Sequence, residues 1–129
     1  MSLKVIFLSV ENILTIHERM IREFGGDPSL RDQGLLEAAG MMALARYQGK
    51  YLHPNLAEMA GAYLFHLCKN HPFVDGNKRT SLAAAEVFLM LNKAKLTATN
   101  RQLEELTRQV ADGTLSKTEV LEFFRQHVS

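Results

Sequence analysis

The chain has 129 residues, of which 47% are hydrophobic and 22% are charged, and its formal net charge is +1. This length suffices for one domain with a buried core, and the proportions are those of a globular protein rather than a disordered one. A net charge so close to zero argues against direct nucleic-acid binding through an overall basic surface. We expect one globular domain over residues 1–129.

Three features concern the compartment. The longest nearly uncharged apolar run, residues 82–91, contains Glu86 and is about half as long as the roughly 20 residues that a membrane helix needs. The N-terminal residues 1–8 are too short for a signal peptide with a cleavage site. Cys68 is the single cysteine and lies in an apolar segment, which favours a buried thiol in a reducing compartment. We therefore expect a cytoplasmic protein that does not contact a membrane.

The hydrophobic periodicity predicts an all-α fold with about six helices after a short extended entry at residues 4–8. The first helix is predicted from Val10 to about Phe24 after a Ser9 cap, and the second to about Arg46 after an Asp32 cap. The third is predicted from about Leu56 to Asn70, and the fourth from Asn77 to about Lys93. The fifth is predicted to follow an Asn100 cap, and the sixth a Ser116 cap. The third and fourth helices are apolar on nearly every face. We expect both to be buried centrally, wrapped by the four amphipathic helices.

Two segments lack helical periodicity. Residues 47–55 contain Gly49 and Pro54, which predicts a loop or a small hairpin long enough to act as a flap. Residues 95–97 are predicted to form a loop or a short strand.

The connection between the third and fourth helices concentrates polar side chains suited to catalysis. It is called here the 71–80 segment, and it reads His-Pro-Phe-Val-Asp-Gly-Asn-Lys-Arg-Thr. Pro72 disfavours helical geometry at His71, so the third helix should end there. Phe73 is expected to point into the core and pin the segment. A tight connection between two rigid helices holds side chains more accurately than a free loop does.

Two cations, Lys78 and Arg79, fall in the first turn of the predicted fourth helix. The helix dipole places about half a positive charge there, so each cation costs roughly 0.3 to 1 kcal/mol. Residues that break a local stability rule, such as cations at a helix N-terminus, without an evident compensating contact often mark a functional site. An anion bound by both side chains and by the backbone N–H groups of residues 76–78 would reverse the cost, which predicts a phosphate site. The alternative is that both side chains simply extend into water.

Three neighbouring side chains add chemistry to this predicted phosphate site. Asp75 offers a hard oxygen ligand for Mg²⁺, and Asn77 can donate its amide to a phosphate oxygen. His71 can accept a proton from a hydroxyl nucleophile. Each has a structural alternative, as a helix cap, a turn residue or a helix end. Together they point to phosphoryl or nucleotidyl transfer.

Two other classes of protein compete with this interpretation. A helical metal-dependent phosphohydrolase would draw its ligands from the histidines, which are His17, His53, His66, His71 and His127. The sequence has neither an adjacent His-Asp pair nor a His-Glu-x-x-His motif, which weighs against that class. A helical adaptor or DNA-binding module is disfavoured by the near-neutral charge and by the lack of a basic recognition helix.

The 71–80 segment resembles the signature of the Fic family, His-x-Phe-x-(Asp/Glu)-Gly-Asn-Gly-Arg. It is most similar to the death-on-curing (Doc) branch, in which Lys replaces the later Gly and Thr follows the Arg. The similarity extends to the turn at residues 25–28 and to residues 31–37. It implies a Fic-fold helical bundle in which 47–55 is a flap that docks the protein target.

The resemblance also implies a role for each position of the motif. His71 matches the general base, Asp75 the Mg²⁺ ligand and Phe73 a hydrophobic anchor. Gly76 matches the anion-binding turn, and Asn77 and Arg79 match the groups that hold the phosphates of ATP. We assign Lys78 both a catalytic and a phosphate-binding role.

Lys78 and Leu82 depart from the typical Fic pattern, which has Gly and a second Arg there. Both departures are Doc-like. They imply a protein kinase that transfers the γ-phosphate of ATP to a threonine of elongation factor Tu, and so a toxin that arrests translation. The alternatives are an adenylyltransferase that uses the same residues, or a catalytically silent Fic-fold binding module.

The resemblance also bears on regulation. Many Fic enzymes inhibit themselves through a (Ser/Thr)-x-x-x-Glu-(Gly/Asn) helix. Only Thr118 and Glu122 have that spacing here, and Phe123 follows them, which favours an ordinary amphipathic helix. We therefore expect inhibition by a separate antitoxin, whose disordered tail folds on binding.

Overall fold

A computed structural model of the chain describes residues 4–129. Its elements, in chain order, are α1 (Val10–Phe24), α2 (Gln33–Met42), β1 (Arg46–Tyr47), β2 (Lys50–Tyr51), α3 (Leu56–Asn70), α4 (Asn77–Leu91), α5 (Asn100–Asp112) and α6 (Lys117–His127). The structure thus confirms the predicted all-α class, with a single two-stranded hairpin in the described part of the chain.

Most of the predicted helix starts are confirmed by their caps. The side chains of Ser9, Asp32 and Ser116 each accept a hydrogen bond from the backbone N–H three residues later. The predicted Asn100 cap is wrong, because Thr99 caps α5 and Asn100 is its first helical residue. Thr99 has Gln102 three residues later, and the two residues exchange side-chain to backbone hydrogen bonds in a capping box.

The second helix ends four residues before its predicted end, because the chain enters the hairpin instead. Arg46 pairs with Tyr51 across β1 and β2. Gln48 and Gly49 form the two-residue turn and both have positive φ, at 52° and 78°. Such turns match the twist of a hairpin. The hairpin predicted within 47–55 is therefore present, shifted by one residue toward the N-terminus.

Helix α3 lies at the centre of the fold and packs against α2, α4, α5 and α6, as predicted. At Gly61 it approaches α6 so closely that an added Cβ would lie 2.9 Å from the Leu121 side chain. Helix α4 was also expected to be buried all round, and this holds on one face only. Its other face exposes Met90 by 68% and Leu91 by 41%. Within residues 4–129, no helix is both long and apolar enough to cross a membrane.

The two ends of the described chain are tied to the bundle. The extended entry is anchored where the Leu8 N–H donates to the Tyr63 hydroxyl at 2.9 Å. Residues 95–97, predicted to be a loop or a short strand, form a loop with one bridge between Leu96 and Val128. The buried positions predicted for Cys68 and Phe73 are confirmed.

Candidate functional site

The 71–80 segment is held by the loop between α1 and α2, called here the α1–α2 loop (residues 25–32). The backbone N–H of Arg31 donates to the Pro72 carbonyl at 2.7 Å, and the Val74 N–H donates to the Ser29 carbonyl at 3.1 Å. Leu30 and Phe73 form an antiparallel bridge between these two bonds. The segment is therefore one side of a short two-stranded pairing, which fixes its backbone.

His71 ends α3 in a left-handed conformation, with φ 49° and ψ 54°. This confirms that the third helix ends before Pro72. The conformation costs a residue other than glycine about 1 to 2 kcal/mol. Arg31 offsets part of this cost, because its guanidinium donates to the carbonyls of Asn70 and His71 at 2.9 and 2.6 Å. The His71 side chain remains exposed, so the strained residue presents its imidazole to solvent.

The Asp75 carboxylate is exposed, and the α1–α2 loop orients it. Its Oδ2 accepts a hydrogen bond from the Asp27 backbone N–H at 2.7 Å. Gly26 packs against it so closely that an added Cβ would lie 3.0 Å from the Asp75 Cβ. Within residues 4–129, no hydrogen bond reaches the other oxygen, Oδ1. Such a carboxylate, fixed by one oxygen and open at the other, suits a hard cation such as Mg²⁺.

Asn77 is buried and braces the segment from inside. Its Oδ1 accepts a hydrogen bond from the Phe73 N–H at 3.0 Å, and its Nδ2 donates to the Phe73 carbonyl at 2.8 Å. A longer contact of 3.4 Å joins Nδ2 to Nε2 of His71. The phosphate contact that the sequence suggested for the Asn77 side chain stays a prediction, and forming it would compete with these bonds.

The N-terminus of α4 differs from every other helix start in residues 4–129, because no side chain caps it. Gly76 occupies the cap position in the left-handed conformation, with φ 82°. Lys78 and Arg79 follow it and are both exposed. The Arg79 guanidinium lies 4.2 Å from the centroid of the Phe24 ring, which is a cation–π distance. Free backbone N–H groups and two cations are therefore available to one anion.

His17 of α1 lies against the 71–80 segment, although the sequence suggested it only as a possible ligand in the disfavoured phosphohydrolase class. It is buried, and its ring stacks on Phe73 with 3.7 Å between centroids and 5° between planes. Its Nε2 donates to the Asp75 carbonyl at 2.8 Å. The available signal was a histidine on the apolar face of α1, because a buried polar side chain must find a hydrogen-bond partner.

The remaining histidines lie away from the 71–80 segment in structural settings. Burial lowers the pKa of His53, and it lowers the pKa of His66 to about 4, with Lys117 and His53 adding to the effect. His127 donates from Nδ1 to the Phe123 carbonyl within α6. Among residues 4–129, no group of three or more His, Cys, Asp or Glu side chains is arranged to hold a metal.

The hairpin expected to act as a flap is stiffened by its own side chains. The Arg46 guanidinium lies 4.4 Å from the centroid of the Tyr51 ring and donates to the Tyr51 hydroxyl at 2.9 Å. Tyr47 on the neighbouring position is 67% exposed. The hairpin therefore presents an exposed aromatic side chain beside the Arg46–Tyr51 pair.

The sequence of the chain matches one family model and is similar to two named relatives. The model of the Fic/DOC family matches residues 7–89, which include the hairpin and the 71–80 segment. "Toxin Doc" of Mycolicibacterium smegmatis is 42% identical over 92 residues, which cover 71% of this chain and 68% of that protein. "Protein kinase doc" of Escherichia phage P1 is 30% identical over 122 residues, which cover 92% of this chain and 93% of that protein.

Proposed function

The chain belongs to the Fic/DOC family, and on this premise we propose that it is a Doc-type toxin that transfers the γ-phosphate of ATP to a threonine hydroxyl. The proposed acceptor is elongation factor Tu, whose modification would arrest translation. The observation that carries the proposal is the uncapped N-terminus of α4, with Lys78 and Arg79 beside the exposed His71 and Asp75. The two relatives, one named a toxin and one a protein kinase, support the same class.

The phosphate groups of ATP would bind at the start of α4. The N–H groups in the first turn of α4 have no carbonyl partner within the helix, and Gly76 at the cap position has no side chain to accept a hydrogen bond from them. The positive end of the helix dipole and the Lys78 and Arg79 side chains add to the attraction. To reach the anion, the Arg79 guanidinium would move along the Phe24 ring or away from it. This rearrangement is small because the Phe24 side chain is exposed at the surface.

His71 would accept the proton of the threonine hydroxyl. The imidazole is exposed at the end of α3, and the Asn77 Nδ2 lies 3.4 Å from its Nε2, beside the start of α4. A neutral ring can take up a proton as the hydroxyl oxygen attacks the γ-phosphorus. The new O–P bond forms while the bond to the bridging oxygen of the β-phosphate breaks, and ADP leaves.

Asp75 fits the Mg²⁺ that this class of reaction uses. The carboxylate is exposed, one oxygen is fixed by the Asp27 N–H, and the other is free to ligate. When bound, Mg²⁺ would neutralise charge on the phosphates of the nucleotide. The part of this chain is to hold the carboxylate in one orientation, which the α1–α2 loop does.

We also propose a cognate antitoxin as partner, with a disordered tail that folds on binding. Apolar side chains are exposed on α1 and α4, which pack against each other. These are Leu14, Phe24, Met90 and Leu91. A segment that folds onto them would cover an apolar surface, and at Phe24 it would reach the Arg79 guanidinium. We expect a short reading frame beside the gene whose co-expression relieves toxicity, and the lack of such a frame would count against the partner.

The decisive experiment supplies elongation factor Tu with ATP labelled at either the α- or the γ-phosphate. We expect label from the γ position only. Transfer from the α position would refute the kinase and favour adenylylation, whereas transfer from neither would favour a silent binding module. His71→Ala should abolish transfer. His127→Ala is the matched control, because that histidine also stands at the end of a helix, and it should leave transfer unchanged.

A further inference from the structure

We propose that His17 is a positioning residue of the phosphotransfer site, which holds Asp75 and the Gly76 turn in place from α1. For its activity readout this inference rests on the proposed function. The structural role of His17, which is to fix residues 74–78, is inferred from its contacts with Asp75, Phe73 and Gly76 and does not depend on the proposed function.

His17 is only 3% exposed and lies on the apolar face of α1 beside Ile13 and Ile21. A buried polar group without a hydrogen bond costs about 1 to 3 kcal/mol in proteins. Within residues 4–129 the hydrogen bond that His17 makes is the one from Nε2 to the Asp75 carbonyl. An apolar side chain would satisfy the core at this position with no such requirement. The contact that accounts for a histidine is therefore the one made to the site.

The ring and the N–H of His17 act on different parts of the 71–80 segment. The ring lies flat on Phe73 at 3.7 Å, which fixes the segment on one side of Asp75. Nε2 holds the carbonyl of Asp75 itself. The two contacts can be separated by substitution, since phenylalanine keeps an aromatic face and loses the donor, whereas glutamine keeps a donor and loses the face.

The same helix face also supports the Gly76 turn. A Cβ added at Gly76 would lie 3.2 Å from the Ile21 Cδ1 and 3.4 Å from the His17 Cδ2. Gly76 thus rests directly on the His17 ring and on the residue one helical turn later. With the Asp27 N–H on Oδ2, Asp75 is held at its carboxylate by the α1–α2 loop and at its carbonyl by α1. Partners that orient a ligating carboxylate in this way commonly change metal affinity or activity about 10- to 100-fold when removed.

The test compares His17→Phe, His17→Gln and His17→Asn with Thr107→Val in the complete chain. Thr107 is as buried as His17, also 3% exposed, but its hydroxyl donates to Leu103 within α5. Two quantities are measured for each variant: γ-phosphate transfer, with kcat and KM for ATP, and amide hydrogen exchange of residues 74–78.

We expect His17→Phe to lower kcat about 10- to 100-fold and to speed amide exchange in residues 74–78. Thr107→Val should change neither beyond its effect on global stability. His17→Gln should recover more activity than His17→Asn, because the glutamine amide reaches as far as Nε2 and the asparagine amide does not. If His17→Phe does not fold, this Gln and Asn pair decides the question alone.

Wild-type kcat and wild-type exchange in His17→Phe would overturn the proposal, and so would equal activity of the Gln and Asn variants. A wild-type chain that transfers no γ-phosphate would refute the proposed function instead. In that case faster exchange of residues 74–78 in His17→Phe, and not in Thr107→Val, still supports the positioning role, while unchanged exchange overturns it.

Discussion

Replacing Asn77 with alanine tests whether this side chain braces the 71–80 segment, as its contacts indicate. The substitution removes the partners of both the N–H and the carbonyl of Phe73, a residue that is 1% exposed. A buried backbone group left without a partner costs about 1 to 3 kcal/mol. Some relaxation and entry of water will recover part of this cost. We therefore expect the free energy of unfolding to fall by about 2 to 4 kcal/mol.

The measurement is equilibrium unfolding in urea, followed by circular dichroism. With a slope of about 1 to 3 kcal/mol per molar for a chain of this size, the midpoint should fall by about 0.7 to 4 M. Asn70→Ala is the matched control, because Asn70 also flanks the segment but its amide makes one hydrogen bond, to the Leu35 carbonyl. It should cost about 1 kcal/mol.

If Asn77→Ala destabilises the protein no more than Asn70→Ala does, Asn77 does not brace the 71–80 segment. That result would mean that the Phe73 backbone finds other partners easily, and it would free the Asn77 amide for the phosphate contact predicted from sequence. Titration of the folded variant with ATP separates the two roles, since a bracing residue changes stability first and nucleotide affinity only through the shape of the segment.

Three further outcomes are expected from the same unfolding assay. Tyr63→Phe leaves the buried Leu8 N–H without its 2.9 Å partner and should cost about 1 to 3 kcal/mol, so a wild-type midpoint would contradict the anchoring of the entry segment. Gly76→Ala must hold φ near 82° with its Cβ 3.2 Å from Ile21, and should cost about 1 to 2 kcal/mol or more. Burial lowers the pKa of His66 from 6.5 to about 4, so the unfolded chain binds a proton that the folded chain rejects. Stability should therefore fall as the pH drops through this window, by at most about 1.4 kcal/mol per pH unit, and His66→Phe should show a shallower slope.

The helices were predictable where a local signal fixes each end. Helix α1 runs from the Ser9 cap to Phe24, before Gly25, and α3 runs from the Asn55 cap to Asn70, before His71 and Pro72. Sequence and structure agree there to the residue. Helix α2 was predicted too long, because residues 43–46 carry no breaker and their entry into the hairpin depends on pairing with residues 50–52. Local propensity does not contain that pairing.

The candidate site divides in the same way. Its exposed residues follow one another in the chain, so the concentration of His71, Asp75 and two cations could be seen in the sequence alone. The supporting contacts could not. His17 is 58 positions from Asp75, and Asp27 is 48 positions from it. The packing of α1 against α4 brings His17 to Asp75, and the pairing of the α1–α2 loop with the 71–80 segment brings Asp27 there.

The pairing of the α1–α2 loop with the 71–80 segment has a consequence for how this family diversifies. Arg31, Gly26 and the Asp27 N–H each contact the motif, so a substitution in either stretch changes the background in which the other is selected. Residues in direct contact show non-additive effects of about 0.5 to 3 kcal/mol. A chimera that receives residues 71–80 from a relative should therefore have lower activity and stability than one that also receives residues 25–32. We therefore expect the two stretches to be exchangeable only as a pair, although some forty residues of chain separate them.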